Sequence, residues 1–226
     1  MLVHSDEGLV ETSYSCVVVR SFDCGELGAT APADNTLVTV PDLEDGEGDL
    51  WVNTADQRGL FSVTTRLWST PPAEPGPEWE EVVELSVTSA TGLVATEMVD
   101  NDPQIILAPE PGEFRLRVSA RGRRIPGISD DDDLDLDAEL PPKEWYLLEA
   151  WPAAATDPVV IRLTSPYAEH VLNPPPALVI PEGEAGLAAA ARIGCDVDGG
   201  PGARTLSGEA GSVQVERTIR GTRCRA

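Results

Sequence analysis

One stretch of the chain constrains its fold more than any other: residues 112–122, which read GEFRLRVSARG. Its apolar residues and its polar residues alternate without a break, as Phe114, Leu116, Val118 and Ala120 against Arg115, Arg117, Ser119 and Arg121. A period of two is typical of a β-strand with one buried and one solvent-facing side, because a helix would spread the same apolar residues around its circumference. The stretch therefore predicts a long strand with an arginine-rich outer face.

Shorter patterns of the same kind surround this strand. β-Branched, aromatic and alternating residues lie between turn-rich segments, and glycine and proline number 20 each. The predicted strands are residues 14–22, 59–68, 79–88, 91–98, 104–108, 112–122, 144–152 and 158–163, with residues 36–40 and 50–53 as shorter candidates. Turn signals at a spacing of roughly ten residues are typical of a sandwich. We therefore predict a mainly β protein, an antiparallel β-sandwich of eight to nine strands.

Composition changes after the last predicted strand. Residues 164–183 are proline-rich and are interpreted as a stiff linker between a β-sandwich domain (1–163) and a small α+β extension (184–226). Within the extension, the alanine-rich residues 184–193 predict a helix that ends at Gly194. A hairpin is predicted beyond it, over residues 204–219.

Acidic residues dominate the charge of the chain. The sequence contains 39 acidic and 16 basic residues, a formal net charge of −23. Residues 1–191 contain 35 acidic and 10 basic groups, whereas residues 192–226 contain four acidic groups and six arginines. This balance argues against non-specific binding of the main domain to nucleic acid or to an anionic membrane, and it suits a basic protein partner. Solubility, or a high-salt cytoplasm, is the alternative explanation of the negative charge.

The remaining sequence signals exclude several classes of protein and assign no specific function. The first residues lack a basic segment followed by an apolar run, so we expect no signal peptide, no membrane span and a cytoplasmic location. The four cysteines include no CxxC pair and lie far from both histidines. We find no nucleophile motif, phosphate-binding loop or metal-ligand spacing, and we predict a non-enzymatic protein without cofactor or metal.

An acidic run interrupts the sequence after the arginine strand. Six of the eight residues 130–137 are aspartates: Asp130, Asp131, Asp132, Asp133, Asp135 and Asp137. A calcium loop that began at Asp130 would need a glycine at its sixth position and a glutamate at its twelfth, where this chain has Asp135 and Pro141. The run is therefore interpreted as a solvated loop and as a candidate contact for a basic partner.

The strand predicted at residues 144–152 is apolar on both faces. Trp145 and Trp151 share one face, and Tyr146 and Leu148 share the other. The strand is either central in a two-layer core or covered on one face by a partner or by the tail, so Trp145 and Trp151 are candidate partner contacts.

Two groups of arginines remain to be assigned. The arginines of the 112–122 strand are predicted to pair across strands with glutamates such as those of residues 80–84, with an anion-binding face as the alternative. In the basic tail, candidate contacts to nucleic acid or to another subunit are Arg217, Arg220, Arg223 and Arg225.

Two segments together resemble a known pattern. Residues 111–122, followed after the acidic run by residues 144–153, resemble uncharacterised bacterial β-sandwich proteins that are distantly similar to the competence-associated inhibitor of a DNA-entry nuclease. The likeness covers residues 50–163. It implies a binding module of inhibitor or immunity type and carries over no catalytic residue.

Two hypotheses of different classes follow from these features. The first is an acidic binding protein that docks on a basic partner such as a nuclease or toxin. The second is a regulatory or scaffold protein whose basic C-terminal unit contacts nucleic acid or another subunit.

Overall fold

Seven strands form the larger of the two β-sheets that the structure describes within residues 1–174. In the computed structural model they are β1 (Leu2–Thr12), β3 (Gly28–Ala29), β6 (Gly59–Trp68), β7 (Glu81–Ser89), β10 (Gly112–Arg121), β11 (Glu144–Pro152) and β12 (Val159–Leu163). Their order is β1-β6-β11-β10-β7-β12, and β3 also pairs with β7. All pairs are antiparallel except β6 with β11, which is parallel.

The structure describes residues 1–12, 15–23, 25, 27–41, 48–97, 103–125 and 141–174, and the backbone of 195–197 and 222–224.

Five strands form the smaller sheet. They are β2 (Cys16–Ser21), β4 (Val38–Thr39), β5 (Leu50–Asn53), β8 (Leu93–Thr96) and β9 (Ile105–Ala108). Their order is β4-β5-β2-β8-β9, and every pair is antiparallel.

The core lies between the two sheets. Val17 and Val19 of β2 belong to the same buried cluster as Leu116 and Val118 of β10, and all four are 0% exposed. The period of two explains this arrangement, because alternate residues of each strand face the other sheet. The predicted fold class, a mainly β sandwich, is confirmed.

Three elements within residues 1–174 depart from the sequence-based expectation: β1, β3 and α1. No strand was predicted at the position of β3. The first strand is β1, which precedes the one predicted at residues 14–22. A helix, α1 (Pro166–Leu172), lies inside the segment interpreted as a linker, and the Ser165 side chain caps it by accepting a hydrogen bond from the Ala168 N–H. In the part of the chain that the structure describes, no helix is long and apolar enough to cross a membrane.

The chain divides into two units, Met1–Pro174 and Pro175–Ala226. In the second unit, β13 (Cys195–Val197) pairs antiparallel with β14 (Thr222–Cys224), with Cys195 opposite Cys224. The predicted helix at 184–193 and the predicted hairpin at 204–219 lie outside the described residues.

Candidate functional site

The side of the larger sheet that faces away from the core, here called the outer face, carries a network of arginines and glutamates. Glu84 of β7 accepts hydrogen bonds from Arg115 Nε at 3.4 Å and from Arg117 Nε at 2.8 Å. Arg117 also lies 3.5 Å from Glu149 of β11. The predicted pairing of the arginine strand with a glutamate of residues 80–84 is confirmed for these two arginines.

The prediction that this face is open to solvent was wrong at its centre. Arg115 and Arg117 are 7% and 5% exposed, and Ser119 is 0% exposed. Two loops supply acceptors to the arginines: the Ala73 carbonyl oxygen accepts from Arg117 at 2.7 Å, and Thr156 Oγ1 accepts from Arg115 at 2.9 Å. A guanidinium group can be buried when carboxylates and carbonyl oxygens satisfy its N–H donors, as they do here.

The two tryptophans proposed as partner contacts lie in different surroundings. Trp151 is only 5% exposed, and the guanidinium of Arg117 lies 5.3 Å from the centre of its ring. Trp145 is half-buried at the other end of β11. Only Trp145 is therefore placed where an incoming group can contact it.

An open cleft of about 240 Å³ lies beside Trp145. The guanidinium carbon of Arg121 lies 5.0 Å from the ring centre of Trp145 and 5.4 Å from that of Trp79. The cleft is lined by Ser62, Thr64, Arg66, Glu78, Trp79, Arg121, Trp145, Tyr146 and Leu147. It thus combines the indole rings of Trp79 and Trp145 with the guanidinium groups of Arg66 and Arg121 and with the carboxylate of Glu78.

The acidic run is attached at the same end of the sheet as this cleft. Arg121 and Trp145 are the last paired residues of the β10–β11 hairpin, and residues 130–137 belong to the segment that joins these two strands. The six aspartates themselves lie outside the described residues. The chain leaves the hairpin through Ile125 and returns at Pro141.

A buried polar cluster supports this end of the molecule. Arg123, 0% exposed, forms an ion pair with Glu81 and donates a hydrogen bond to the Thr36 carbonyl oxygen at 3.1 Å. Glu81 also accepts hydrogen bonds from the hydroxyls of Thr36 and Ser165, and Ser165 caps α1. The cluster therefore ties the start of the β10–β11 connection to the helix.

Glu144 belongs to the same cluster. Its carboxylate accepts hydrogen bonds from the N–H groups of Ala55 and Asp56, at 3.1 and 2.9 Å, and from the Tyr146 hydroxyl. Burial raises the pKa of Glu144 above its ordinary value, although these hydrogen bonds and Arg123 oppose the shift. Burial and the Glu144 charge raise the pKa of Tyr146 well above its usual value, so the phenol remains a donor.

The raised pKa of Glu144 predicts a pH-dependent effect on stability. Consider the pH range that begins at 4.5, the ordinary pKa of the carboxyl group, and ends at the raised pKa of the folded state. In this range Glu144 is protonated in the folded chain and deprotonated in the unfolded chain. The contribution of Glu144 to stability should therefore decrease as the pH rises through that range. We expect the free energy of unfolding of the wild type, relative to Glu144→Gln, to fall as the pH rises above 4.5. Urea unfolding of both chains at several pH values measures this difference, and a constant difference would contradict the assignment.

The other predicted contacts lie in the tail. Arg217, Arg220 and Arg225 are outside the described residues, and Arg223 is described only as a backbone position in β14. Across the described residues, no group of three or more metal-ligating side chains is close enough to hold a metal ion.

Sequence reasoning missed several residues of the cleft. Trp79 lies just before β7, after a loop rich in proline and glycine, and Ser62 and Arg66 lie on the polar side of β6. The alternation of β6 places Ser62 and Arg66 on one face, but it does not reveal that β6 lies next to β11. That parallel pairing, which sets Ser62 opposite Trp145, is a property of the sheet order.

No protein-family model and no curated protein sequence matches the chain. Two solved structures are similar to it. The first, "Crocagin biosynthetic gene J", has 14% sequence identity and a TM-score of 0.42, and the match covers 67% of this chain and 98% of that one. The second is ComJ from Bacillus subtilis, inhibitor of the DNA-degrading activity of NucA, with 16% identity and a TM-score of 0.41, covering 68% of this chain and 98% of that one. The resemblance noted in the sequence is confirmed as a weak, partial similarity, and neither structure assigns a function to this chain.

Proposed function

We propose that this protein is a non-enzymatic binding protein of inhibitor or immunity type, which docks through acidic surface on a basic protein such as a nuclease or toxin. The observation that carries the proposal is the position of the densest acidic run. Residues 130–137, with six aspartates in eight positions, join the two strands whose ends flank the cleft of Trp145. Negative charge and an accessible aromatic ring are thus attached to one end of the sheet.

The burial of arginines supports the proposal, because it leaves the surface more acidic than the composition suggests. Arg115, Arg117 and Arg123 are buried in ion pairs with glutamates, so they contribute little charge to the surface. Among the described side chains, the exposed basic ones are Arg58, Arg121, Arg124 and Lys143. The exposed acidic ones are Glu7, Glu11, Asp23, Asp34, Glu74, Glu78, Glu110, Glu113, Asp157 and Glu169. A field of this sign steers a basic partner toward the surface and accelerates association.

The burial of Glu81 and Glu144, the two carboxylates whose surroundings most resemble a catalytic site, also favours a binding role. Glu81 and Glu144 lie in a cluster with an arginine and a tyrosine, an arrangement that enzymes use for acid–base chemistry. Both are almost fully buried, at 0% and 1% exposure, and they tie strands and a helix together. A structural role accounts for their contacts.

Replacing all six aspartates of residues 130–137 by asparagine should slow association with the basic partner by about tenfold or more at low salt. The salt dependence of the association rate constant should flatten as well, since the steering charge has been removed. The partner is captured from a lysate at low salt, identified and purified, and association rates are then measured by surface plasmon resonance at several ionic strengths.

A matched control removes the same charge elsewhere on the molecule. It carries the amide residue at six exposed acidic positions: Glu7, Glu11, Asp34, Glu110, Glu113 and Glu169. We expect this control to slow association less than the variant of residues 130–137. The proposal would be contradicted if the association rate of the variant of residues 130–137 kept the salt dependence of the wild type. Equal slowing in this variant and in the control would assign the effect to net charge instead of to this segment.

A further inference from the structure

The cleft beside Trp145 contains two arginines, Arg66 and Arg121, that form no ion pair with any carboxylate of the described residues. Arg121 is exposed and contacts the rings of Trp79 and Trp145, and Arg66 is half-buried on β6. Within the described ranges, neither side chain makes an ion pair or a hydrogen bond. Glu149 lies directly opposite Arg66 in the sheet, but its oxygens contact the Trp68 indole N–H at 3.0 Å and Arg117 at 3.5 Å.

Two arginines without an ion pair to a described carboxylate are unexpected in this chain, in which acidic residues outnumber basic ones by 39 to 16. Of the other strand arginines whose side chains are described, Arg20, Arg115 and Arg117 pair with acids, whereas Arg162 donates hydrogen bonds to the Gly76 and Trp79 carbonyl oxygens. Arg20 lies 2.7 Å from Asp49, for example, and Arg117 lies 2.8 Å from Glu84. The cleft is therefore a small cationic site on an acidic surface.

The contacts of Arg121 leave it ready to bind an anion. The two rings attract its guanidinium through their π faces, and this interaction does not use the N–H donors at the edge of the group. Those donors have the fork geometry that matches a carboxylate in a bidentate hydrogen bond. The hydroxyls of Ser62 and Thr64 line the same cleft and offer further donors.

The size and the charge of the cleft restrict the class of ligand that it can bind. The volume of about 240 Å³ is below the range of roughly 300–1,000 Å³ that is usual for sites of drug-sized ligands. Glu78 also lines the cleft, so two positive groups face one negative group, and a second negative charge on the ligand would be repelled. We propose that this cleft binds a small monocarboxylate whose flat apolar part lies against Trp79 and Trp145 while its carboxylate pairs with Arg121 and Arg66.

Titration of the full chain with benzoate tests the proposal directly, with the indole N–H signals of Trp79 and Trp145 in NMR spectra as the readout. Tryptophan-to-phenylalanine variants assign these signals. We expect benzoate to shift both signals saturably. Benzamide, its neutral isostere, should bind at least about tenfold more weakly, because it lacks the charge-assisted hydrogen bond. A missing response to benzoate, or equal affinities for benzoate and benzamide, would overturn the proposal.

Three variants locate the binding. Arg121→Gln and Arg66→Gln should each weaken benzoate binding, Arg121→Gln by about tenfold. Arg124→Gln removes the same charge from an exposed side chain that does not line the cleft, and it should leave the affinity within about twofold of the wild type. Equal loss in Arg124→Gln and Arg121→Gln would show a general charge effect and contradict a built site. Arg121 is exposed, so its variant should retain the fold, and Arg66→Gln provides a second reading of the same site.

Discussion

Replacing Glu81 by alanine is expected to lower the free energy of unfolding by about 3–5 kcal/mol. Glu81 and Arg123 are both 0% exposed and form an ion pair. Without Glu81, the buried guanidinium would keep only Glu144, at 3.9 Å, as a carboxylate neighbour among the residues that the structure describes. The Ser165 hydroxyl that caps α1 would also lose its acceptor. Urea unfolding followed by tryptophan fluorescence measures the effect, because all five tryptophans lie in the first unit.

A solvent-facing ion pair provides the control for this experiment. Lys143 lies 3.7 Å from Asp56, and its side chain is 41% exposed, so Lys143→Ala should cost no more than about 1 kcal/mol. Replacing both buried partners, as Glu81→Leu with Arg123→Met, should recover part of the loss, because neither charge of the Arg123–Glu81 pair then remains inside the protein without its partner. A cost for Glu81→Ala as small as that of Lys143→Ala would contradict the buried pair.

Replacing Trp151 by alanine should also destabilise the fold, by about 3–5 kcal/mol. The Trp151 side chain is buried on the outer face beneath the guanidinium of Arg117, so its loss leaves a cavity in a covered layer. Trp145 is half-buried beside an open cleft, and Trp145→Ala should cost only about 1–2 kcal/mol. Urea unfolding of the two variants, each compared with the wild type by far-ultraviolet circular dichroism, measures the difference.

The same two variants separate the roles of the two tryptophans in binding. At a temperature where both variants are folded, Trp145→Ala should weaken binding of the basic partner more than Trp151→Ala does, because only Trp145 lies at an accessible position. Equal destabilisation by the two substitutions would contradict their different burial. Equal loss of binding would show that Trp151 also contributes to the partner surface, directly or through the covering loops.

The regular strands could be predicted because their signal is local. The strands predicted at residues 50–53, 59–68 and 144–152 match β5, β6 and β11 residue for residue. The strand β1 was missed because Leu2–Thr12 carries no alternation of its own, and it is a strand through its pairing with β6. Helix α1 has the start signals of a serine cap followed by proline. It is only seven residues long, however, and a helix of that length needs tertiary contacts to form.

The candidate site could be predicted only in part. Cross-strand pairing of the arginines with a glutamate follows from the alternation of β7 and β10, and the structure contains it at Glu84. The cleft is lined by residues from separate segments. Trp79 precedes β7, Ser62 and Arg66 belong to β6, and Arg121 and Trp145 lie at the ends of β10 and β11. These segments meet because β6 and β11 run parallel and side by side. Such an order depends on connections between distant parts of the chain.

The sequence by itself determined most of the strands, which side of each predicted strand enters the core, and that the chain carries a net charge of −23. These are properties of single residues and of a period of two, and they need no knowledge of neighbours in space. Only the tertiary structure decided which polar residues are buried. Arg115, Arg117 and Trp151 are covered because loops return over the outer face, whereas Arg121 and Trp145 remain at an open end. Burial of a polar group requires partners from elsewhere in the chain, and only the folded arrangement of strands and loops brings those partners together.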